Sequence, residues 1–169
     1  RDIGGGIYVG DAVVTIESST ISGNTAAEGA GAYFTNSFEG PSNTEVIVRA
    51  STLAENTASE QGAGVYARNG PTTVKFIGSI LARNRIVPSE GAVVPQDIFT
   101  EWEPTIVSEG YNIVQADPTE IWPAGAPGDQ LGGDPLIASL ADNGGPTRTH
   151  ALTPASPAID AGDPDFGGD

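Results

Sequence analysis

The sequence contains no cysteine and no methionine, and it has few basic residues. Without cysteine, neither a disulfide framework nor a thiolate metal site can form. Only 7 Lys and Arg stand against 22 Asp and Glu, which gives a formal net charge of -15. Nucleic acids and anionic membrane surfaces are polyanions, so we expect neither as a partner.

Long apolar runs and helical patterns are also missing. No apolar stretch reaches the roughly 18 residues of a membrane span, so no such span is predicted. Aromatic residues make up only 7% of the chain, whereas Gly and Pro number 23 and 13. Short β-branched runs bounded by Gly, Asn, Ser and Pro recur along the chain, and this pattern predicts many short strands.

An asparagine motif repeats along the chain. Residues 19–26 read S-T-I-S-G-N-T-A, residues 51–58 read S-T-L-A-E-N-T-A and residues 79–86 read S-I-L-A-R-N-R-I. Their asparagines are Asn24, Asn56 and Asn84, and Asn112 follows 28 residues later in G-Y-N-I-V. We expect these four residues to form a column of buried corner side chains that bond the coils above and below.

A glycine motif repeats in phase with the first. It reads G-G-G-I-Y at 4–8, G-A-G-A-Y at 29–33 and G-A-G-V-Y at 62–66, and D-I-F at 97–99 continues it. Period-two alternation directs Ile7, Ala32, Val65 and Ile98 inward. Tyr8, Tyr33, Tyr66 and Phe99 then form an outward column. That column is either a face for stacking sugar rings or a set of rings packed on each other and on covering loops.

Positions ten, eight and three residues before Asn24, Asn56 and Asn84 are always apolar: Val14, Val46, Val74; Ile16, Val48, Phe76; Ile21, Leu53, Leu81. A single coil cannot bury such positions, so coils must stack. The sequence therefore predicts an all-β, right-handed parallel β-helix, that is, a β-solenoid, of about four coils over residues 1–116. Strands of the first coil are expected at roughly 4–9, 13–17 and 19–23. Residues 117–169 are expected to be an irregular Pro/Gly/Asp-rich extension of the same domain, packed on the last coil or along one face.

These motifs resemble those of a known group of surface proteins. G-G-x-I with [I/L]-x-x-N is similar to the repeat of polymorphic outer membrane proteins. The motifs at 108–114, 134–140, 141–152 and 156–163 (S-E-G-Y-N-I-V, D-P-L-I-A-S-L, A-D-N-G-G-P-T-R-T-H-A-L and S-P-A-I-D-A-G-D) resemble the tail of choice-of-anchor Q domain proteins. The resemblance implies a secreted β-helix, commonly part of a larger surface protein, and it implies no catalytic residues.

Candidate chemical sites are few. Asp160, Asp163 and Asp165 in D-A-G-D-P-D could ligate Ca²⁺, the one possible cofactor, although Asp also favours turns through its own side chain. His150 is the only histidine, and a packing or loop role is expected for it. None of the seven basic residues sits in a recognisable acidic motif, so no catalytic residue is predicted and the chain is not expected to be an enzyme.

The predicted function is that of a structural or adhesive extracellular or cell-surface module, a mature chain without signal peptide that assembles with itself. Head-to-tail contacts between residues 1–20 and roughly 95–169 of the next copy would build a filament. The alternatives are a module that binds surface polysaccharide and, less favoured, a polysaccharide lyase or hydrolase. An exposed groove lined by the tyrosine column would favour binding, a cleft joining carboxylates to Arg would favour the enzyme, and complementary bare ends would favour assembly.

Overall fold

The computed structural model describes residues 2–37, 43–116 and 120–165, and these contain strands but no helix. The first turn comprises β1 (Ile7–Gly10), β2 (Val13–Glu17), β3 (Thr20–Ser22) and β4 (Thr25–Glu28). The second comprises β5 (Ala32–Thr35), β6 (Thr44–Arg49), β7 (Thr52–Ala54) and β8 (Thr57–Gln61). The third comprises β9 (Val65–Arg68), β10 (Thr72–Ile77), β11 (Ile80–Ala82) and β12 (Arg85–Ile86). After it come β13 (Val94–Pro95), β14 (Ile98–Glu101), β15 (Thr105–Ser108), β16 (Ile113–Val114) and β17 (Gln130–Leu131).

Corresponding strands of successive turns stack into four sheets. Sheet 1 is β1-β5-β9-β14, sheet 2 is β2-β6-β10-β15, sheet 3 is β3-β7-β11-β16-β17 and sheet 4 is β4-β8-β12-β13. Neighbouring strands are parallel, except that β13 pairs antiparallel with β12. The predicted all-β parallel solenoid is confirmed. It has about three complete turns rather than four, because the fourth turn has strands only in sheets 1 to 3.

Sheet 4 was not expected from the sequence. Its strands are short, and their inward residues are Ala26, Ala58 and Ile86, which pack with Ala30 and Ala63 in a small separate cluster. Alanine gives little of the β-branched alternation that marks a strand in sequence. The extended backbone of this sheet is instead imposed by stacking on the turns above and below.

The main core consists of the predicted columns. Val14, Val46, Val74 and Ile106 lie in register in sheet 2, as do Ile16, Val48 and Phe76. Ile21, Leu53, Leu81 and Val114 lie in register in sheet 3. All are buried except Val14 of the first turn, which is half-buried.

Asparagines form a ladder at the corner between sheets 3 and 4. The backbone N and Nδ2 of Asn24 both donate to Oδ1 of Asn56, each at 3.0 Å. Asn56 donates in the same way to Oδ1 of Asn84, at 3.1 and 2.8 Å. A Cβ added at Gly31 or Gly64 would lie 2.9 Å from Nδ2 of Asn56 or Asn84. The second glycine of each G-x-G motif therefore makes room for the asparagine, which explains why the two motifs repeat together.

Asn112 does not continue this column, which corrects the placement expected from its spacing. Ile113 pairs with Ile80, and this register sets Asn112 beside Ser79, at the corner between sheets 2 and 3. There a second ladder runs through Ser19, Ser51, Ser79 and Asn112. The backbone N of each residue donates to the side-chain oxygen of the following one, at 3.1, 3.3 and 2.9 Å. The 28-residue spacing reflects loop lengths, which do not fix register.

Each ladder ends on an aspartate. Asn84 donates through Nδ2 to Oδ1 of Asp97 at 2.7 Å, and the backbone N of Asn112 donates to Oδ1 of Asp129 at 2.9 Å. The side chain of an ionised aspartate accepts hydrogen bonds but carries no donor, so a ladder of side-chain bonds ends there. Asp97 is buried, and burial raises its pKa, against the opposing effect of hydrogen bonds from Ala116 and Asn84.

The segment after the fourth turn covers the solenoid in two places. Trp122 is buried in the main core, 5.3 Å from the ring of Phe76, and its Nε1 donates to Oδ2 of Asp129 at 2.8 Å. Farther on, Ile137 packs on Ala54 and Ala82 of sheet 3. The buried His150 holds its Nε2 2.8 Å from Oγ of Ser22 in the first turn. The irregular tail thus closes the last turn and then runs back along sheet 3.

Candidate functional site

The tyrosine column forms on sheet 1, but most of it is covered. Tyr8, Tyr33, Tyr66 and Phe99 are in register, with successive ring centroids 5.5, 4.9 and 5.4 Å apart. Tyr33 and Tyr66 are only 3% and 1% exposed, whereas Tyr8 is 53% exposed. Gly29 and Gly62 have φ of +62° and +65°, and a Cβ at either would collide with Cβ of the tyrosine four residues later. The two inner rings are therefore packing groups, and the ring of Tyr8 is the open end of the stack.

A groove of about 480 Å³ lies beside this open end, at the corner between sheets 1 and 2. We call it the aromatic groove. Its walls include the exposed rings of Tyr8 and Trp102, and Trp102 is 52% exposed. Its polar lining includes Asn36, Arg68 and Asn69. Loops from successive turns meet here because corresponding corners of a solenoid stack on each other.

Arg68 contacts both Trp102 and the tyrosine column. Its guanidinium carbon lies 3.9 Å from the ring centroid of Trp102, a cation–π distance. Nη1 donates to the hydroxyl of Tyr33 at 3.3 Å, and Nε lies 3.3 Å from Oε2 of Glu101. The Tyr66 hydroxyl also donates to Oε2 of Glu101, at 2.6 Å, and the pKa of Tyr66 is strongly raised by burial and by this bond. These contacts hold Arg68 and its aromatic neighbours in fixed positions.

Asn69 carries a polar atom with no partner among the described residues. Its side chain is buried, and Nδ2 donates to Oγ1 of Thr35 at 3.2 Å and to the carbonyl of Asn36 at 2.9 Å. Its Oδ1 makes no hydrogen bond within the parts of the chain that the structure describes. A buried acceptor without a donor is costly, and Asn69 belongs to the lining of the aromatic groove.

Of the groove residues, only the tyrosines were expected from the sequence. Arg68 follows Tyr66 by two positions, so period-two alternation places both on the outer face of sheet 1, and that signal could have found it. Trp102 and Asn69 lie in corner loops of different turns. Their approach depends on the stacking of those turns and leaves no local pattern in the sequence.

A second and larger cleft, of about 830 Å³, lies at the corner between sheets 3 and 4 below the third turn. We call it the arginine cleft. It brings together Arg83, Arg85, Asp97 and Asp134, beside Val93 and Pro95. Carboxylates and arginines thus meet in one cleft, which the sequence did not indicate. Asp97 is already engaged, however, since Oδ1 accepts from Asn84 and Oδ2 accepts from the backbone N of Ala116 at 2.7 Å.

The predicted calcium residues lie near the end of the tail. Asp160 and Asp165 are exposed and Asp163 is half-buried. Oδ1 of Asp163 accepts the backbone N of Asp165 at 2.9 Å, which is the turn-forming role of aspartate. Within residues 2–37, 43–116 and 120–165, no three Asp, Glu or His side chains are grouped so that they could hold a metal ion. Calcium binding stays a prediction.

No family model, curated protein or solved structure matches the chain. The described part of the chain also contains no helix that is long and apolar enough to cross a membrane. The resemblance to choice-of-anchor Q and polymorphic outer membrane proteins therefore stays an expectation from the sequence motifs.

Proposed function

We propose that this chain is an extracellular adhesive module that binds carbohydrate at the aromatic groove. The observation that carries the proposal is the pair of exposed aromatic residues, Tyr8 and Trp102, that line one groove together with polar side chains. Aromatic faces pack against the apolar C–H face of a sugar ring, and neighbouring polar groups bond its hydroxyls.

The polar groups of the groove suit a neutral saccharide. Arg68 is tied to Tyr33 and Glu101, so much of its charge is already matched inside the protein. Asn36 and Asn69 line the groove with neutral amides, a group type that hydrogen-bonds sugar hydroxyls. The net charge of -15 also disfavours a polyanionic chain as the ligand.

The two tryptophans of the sequence allow a direct test. Trp102 is exposed and Trp122 is buried, so acrylamide, a neutral quencher, should quench mainly Trp102. We expect a neutral tetrasaccharide from a panel of glucan, galactan, mannan and xylan fragments to protect Trp102 from quenching. If no member of the panel protects it at millimolar concentration, the proposal is wrong.

Variants of Tyr8 separate ring stacking from other effects. Tyr8→Ala removes the platform and should weaken binding about two- to tenfold, in line with about 0.5–1.5 kcal/mol for an aromatic contact. Tyr8→Phe keeps the ring and should bind nearly as well as the parent. Val13→Ala changes an exposed side chain outside the groove and serves as the matched control. Equal affinities for Tyr8→Ala and Val13→Ala would contradict a stacking role for Tyr8.

Head-to-tail assembly is less well supported by the geometry. It requires two complementary bare ends, and the first turn offers one at β1, β2 and β3, which are sheet edges, whereas Asp2 and Ile3 pair with β4. At the other end Trp122 covers the core, and Asp97 and Asp129 terminate the ladders. Arg1, the first of the residues 1–20 expected at that contact, lies outside the described residues. Sedimentation velocity over a hundredfold range of concentration distinguishes a monomer from a growing filament.

The extracellular location is part of the proposal and follows from the resemblance of the motifs. Antibody labelling of intact and of permeabilised cells tests it. Labelling that needs permeabilisation would contradict a surface role.

A further inference from the structure

Two arginine side chains stand together on the outside of the third-turn corner. Arg83 and Arg85 flank Asn84 at the corner between sheets 3 and 4, where Asn84 is buried, Arg83 is half-buried and Arg85 is exposed. Both line the arginine cleft. The whole sequence has only 7 Lys and Arg and a net charge of -15, so this cleft gathers two of the few basic side chains of an acidic protein.

The cleft lining holds two arginines and two aspartates, so its formal charges balance, but the two guanidinium groups are engaged unequally. Among the described residues, Arg83 has one ion-pair contact, at the long distance of 3.5 Å from Oε1 of Glu55 in the turn above. Arg85 is exposed, and within the described ranges it has neither an ion pair nor a side-chain hydrogen bond. The carboxylate of Asp97 is engaged by Asn84 and Ala116, and Oδ1 of Asp134 accepts the backbone N of Leu136 at 2.8 Å.

We infer that the arginine cleft binds the carboxylate of a single uronic acid residue. The guanidinium group is a planar fork that matches a carboxylate in two parallel hydrogen bonds. Val93 and Pro95 supply an apolar wall for the carbon face of the sugar ring. A polyuronate would be strongly repelled by the rest of the acidic surface, whereas a single carboxylate attached to a neutral glycan is repelled much less. The cleft lies at a different corner from the aromatic groove, so this inference does not depend on the proposed function.

The test compares three small probes by NMR titration of ¹⁵N-labelled protein at low salt: methyl galacturonoside, methyl galactoside and acetate. We expect the galacturonoside to shift amide signals around Arg85 and Gln115, and the galactoside to leave them unchanged. Acetate should bind more weakly than the galacturonoside, because it has no ring to pack on Val93 and Pro95. Equal binding of galactoside and galacturonoside would refute recognition of the carboxylate. Equal binding of acetate and galacturonoside would refute a contribution from the sugar ring.

Charge variants locate the site. Arg85→Gln should weaken galacturonoside binding roughly tenfold, which corresponds to about 1.4 kcal/mol. Arg148→Gln removes an exposed arginine outside the cleft and should leave affinity unchanged, which controls for net charge. Glu55→Gln should tighten binding, because it frees Arg83 from its competing carboxylate. The inference fails if Arg85→Gln and Arg148→Gln bind alike, or if Glu55→Gln weakens binding.

Discussion

Replacing Asn56 by alanine tests the asparagine ladder at its most buried member. The side chain of Asn56 donates through Nδ2 to the carbonyl of Ile21 at 3.1 Å and to Oδ1 of Asn84 at 2.8 Å. Its Oδ1 accepts two bonds from Asn24, each at 3.0 Å. Four hydrogen bonds of about 1 kcal/mol each are lost, and their partners stay in a buried corner. Since half-buried Asn24 can recover part of this loss from water, we expect a decrease of about 3–4 kcal/mol in the free energy of unfolding.

Urea denaturation followed by circular dichroism measures this decrease, with an unchanged m-value as the sign that only stability has altered. Asn24→Ala is the matched control, because it removes the same amide from the end of the same ladder. The side chain of Asn24 donates one bond within the ladder, so we expect a loss of about 1 kcal/mol. Equal losses for the two variants would refute the argument that a ladder member with neighbours on both sides stabilises the corner more than a terminal one.

Three further predictions concern the core, the titration of Asp97 and calcium. Leu53→Ala should lower the free energy of unfolding by about 2–5 kcal/mol in the same assay. Leu53 is fully buried between Ile21 and Leu81, and the stacked turns cannot close the cavity. A loss below about 1 kcal/mol would contradict this packing. Burial raises the folded-state pKa of Asp97 above its unfolded value, so its charged form costs stability at neutral pH, and that cost disappears as the pH falls through the raised folded value toward about 3.9. The unfolding free energy of the parent relative to Asp97→Asn should therefore increase as the pH is lowered, and a pH-independent difference would count against the raised pKa. If Asp160, Asp163 and Asp165 bind Ca²⁺, a chelator should lower the melting temperature, and identical melts with and without chelator would remove this site.

The core columns show how far a repeating sequence constrains its fold. Val46, Val74 and Leu53 were placed correctly because period-two alternation fixes the inner face, and the in-phase repeat fixes which turn lies on which. The coupling of the two motifs is also local, since a glycine must lie where the asparagine side chain approaches. Repetition therefore determined the solenoid, its interior and most of its asparagine ladder.

Tertiary structure decided the features that depend on loops and on the last turn. Asn112 belongs to the serine ladder because strand register, and not residue count, sets its neighbours. Trp122 closes the core from a segment with no repeat, so no periodicity marked it.

Both candidate sites are likewise products of stacking. Arg68 and Asn69 meet Trp102 in the aromatic groove because the corners of successive turns lie one strand spacing apart, although Trp102 is distant from them in sequence. Arg85 and Asp134 line one cleft because sheet 4 has no strand from the fourth turn and the tail passes nearby. The sequence by itself determined which side chains face inward, whereas the outer surfaces, where both proposed sites lie, were decided by which loops the stacked turns bring together.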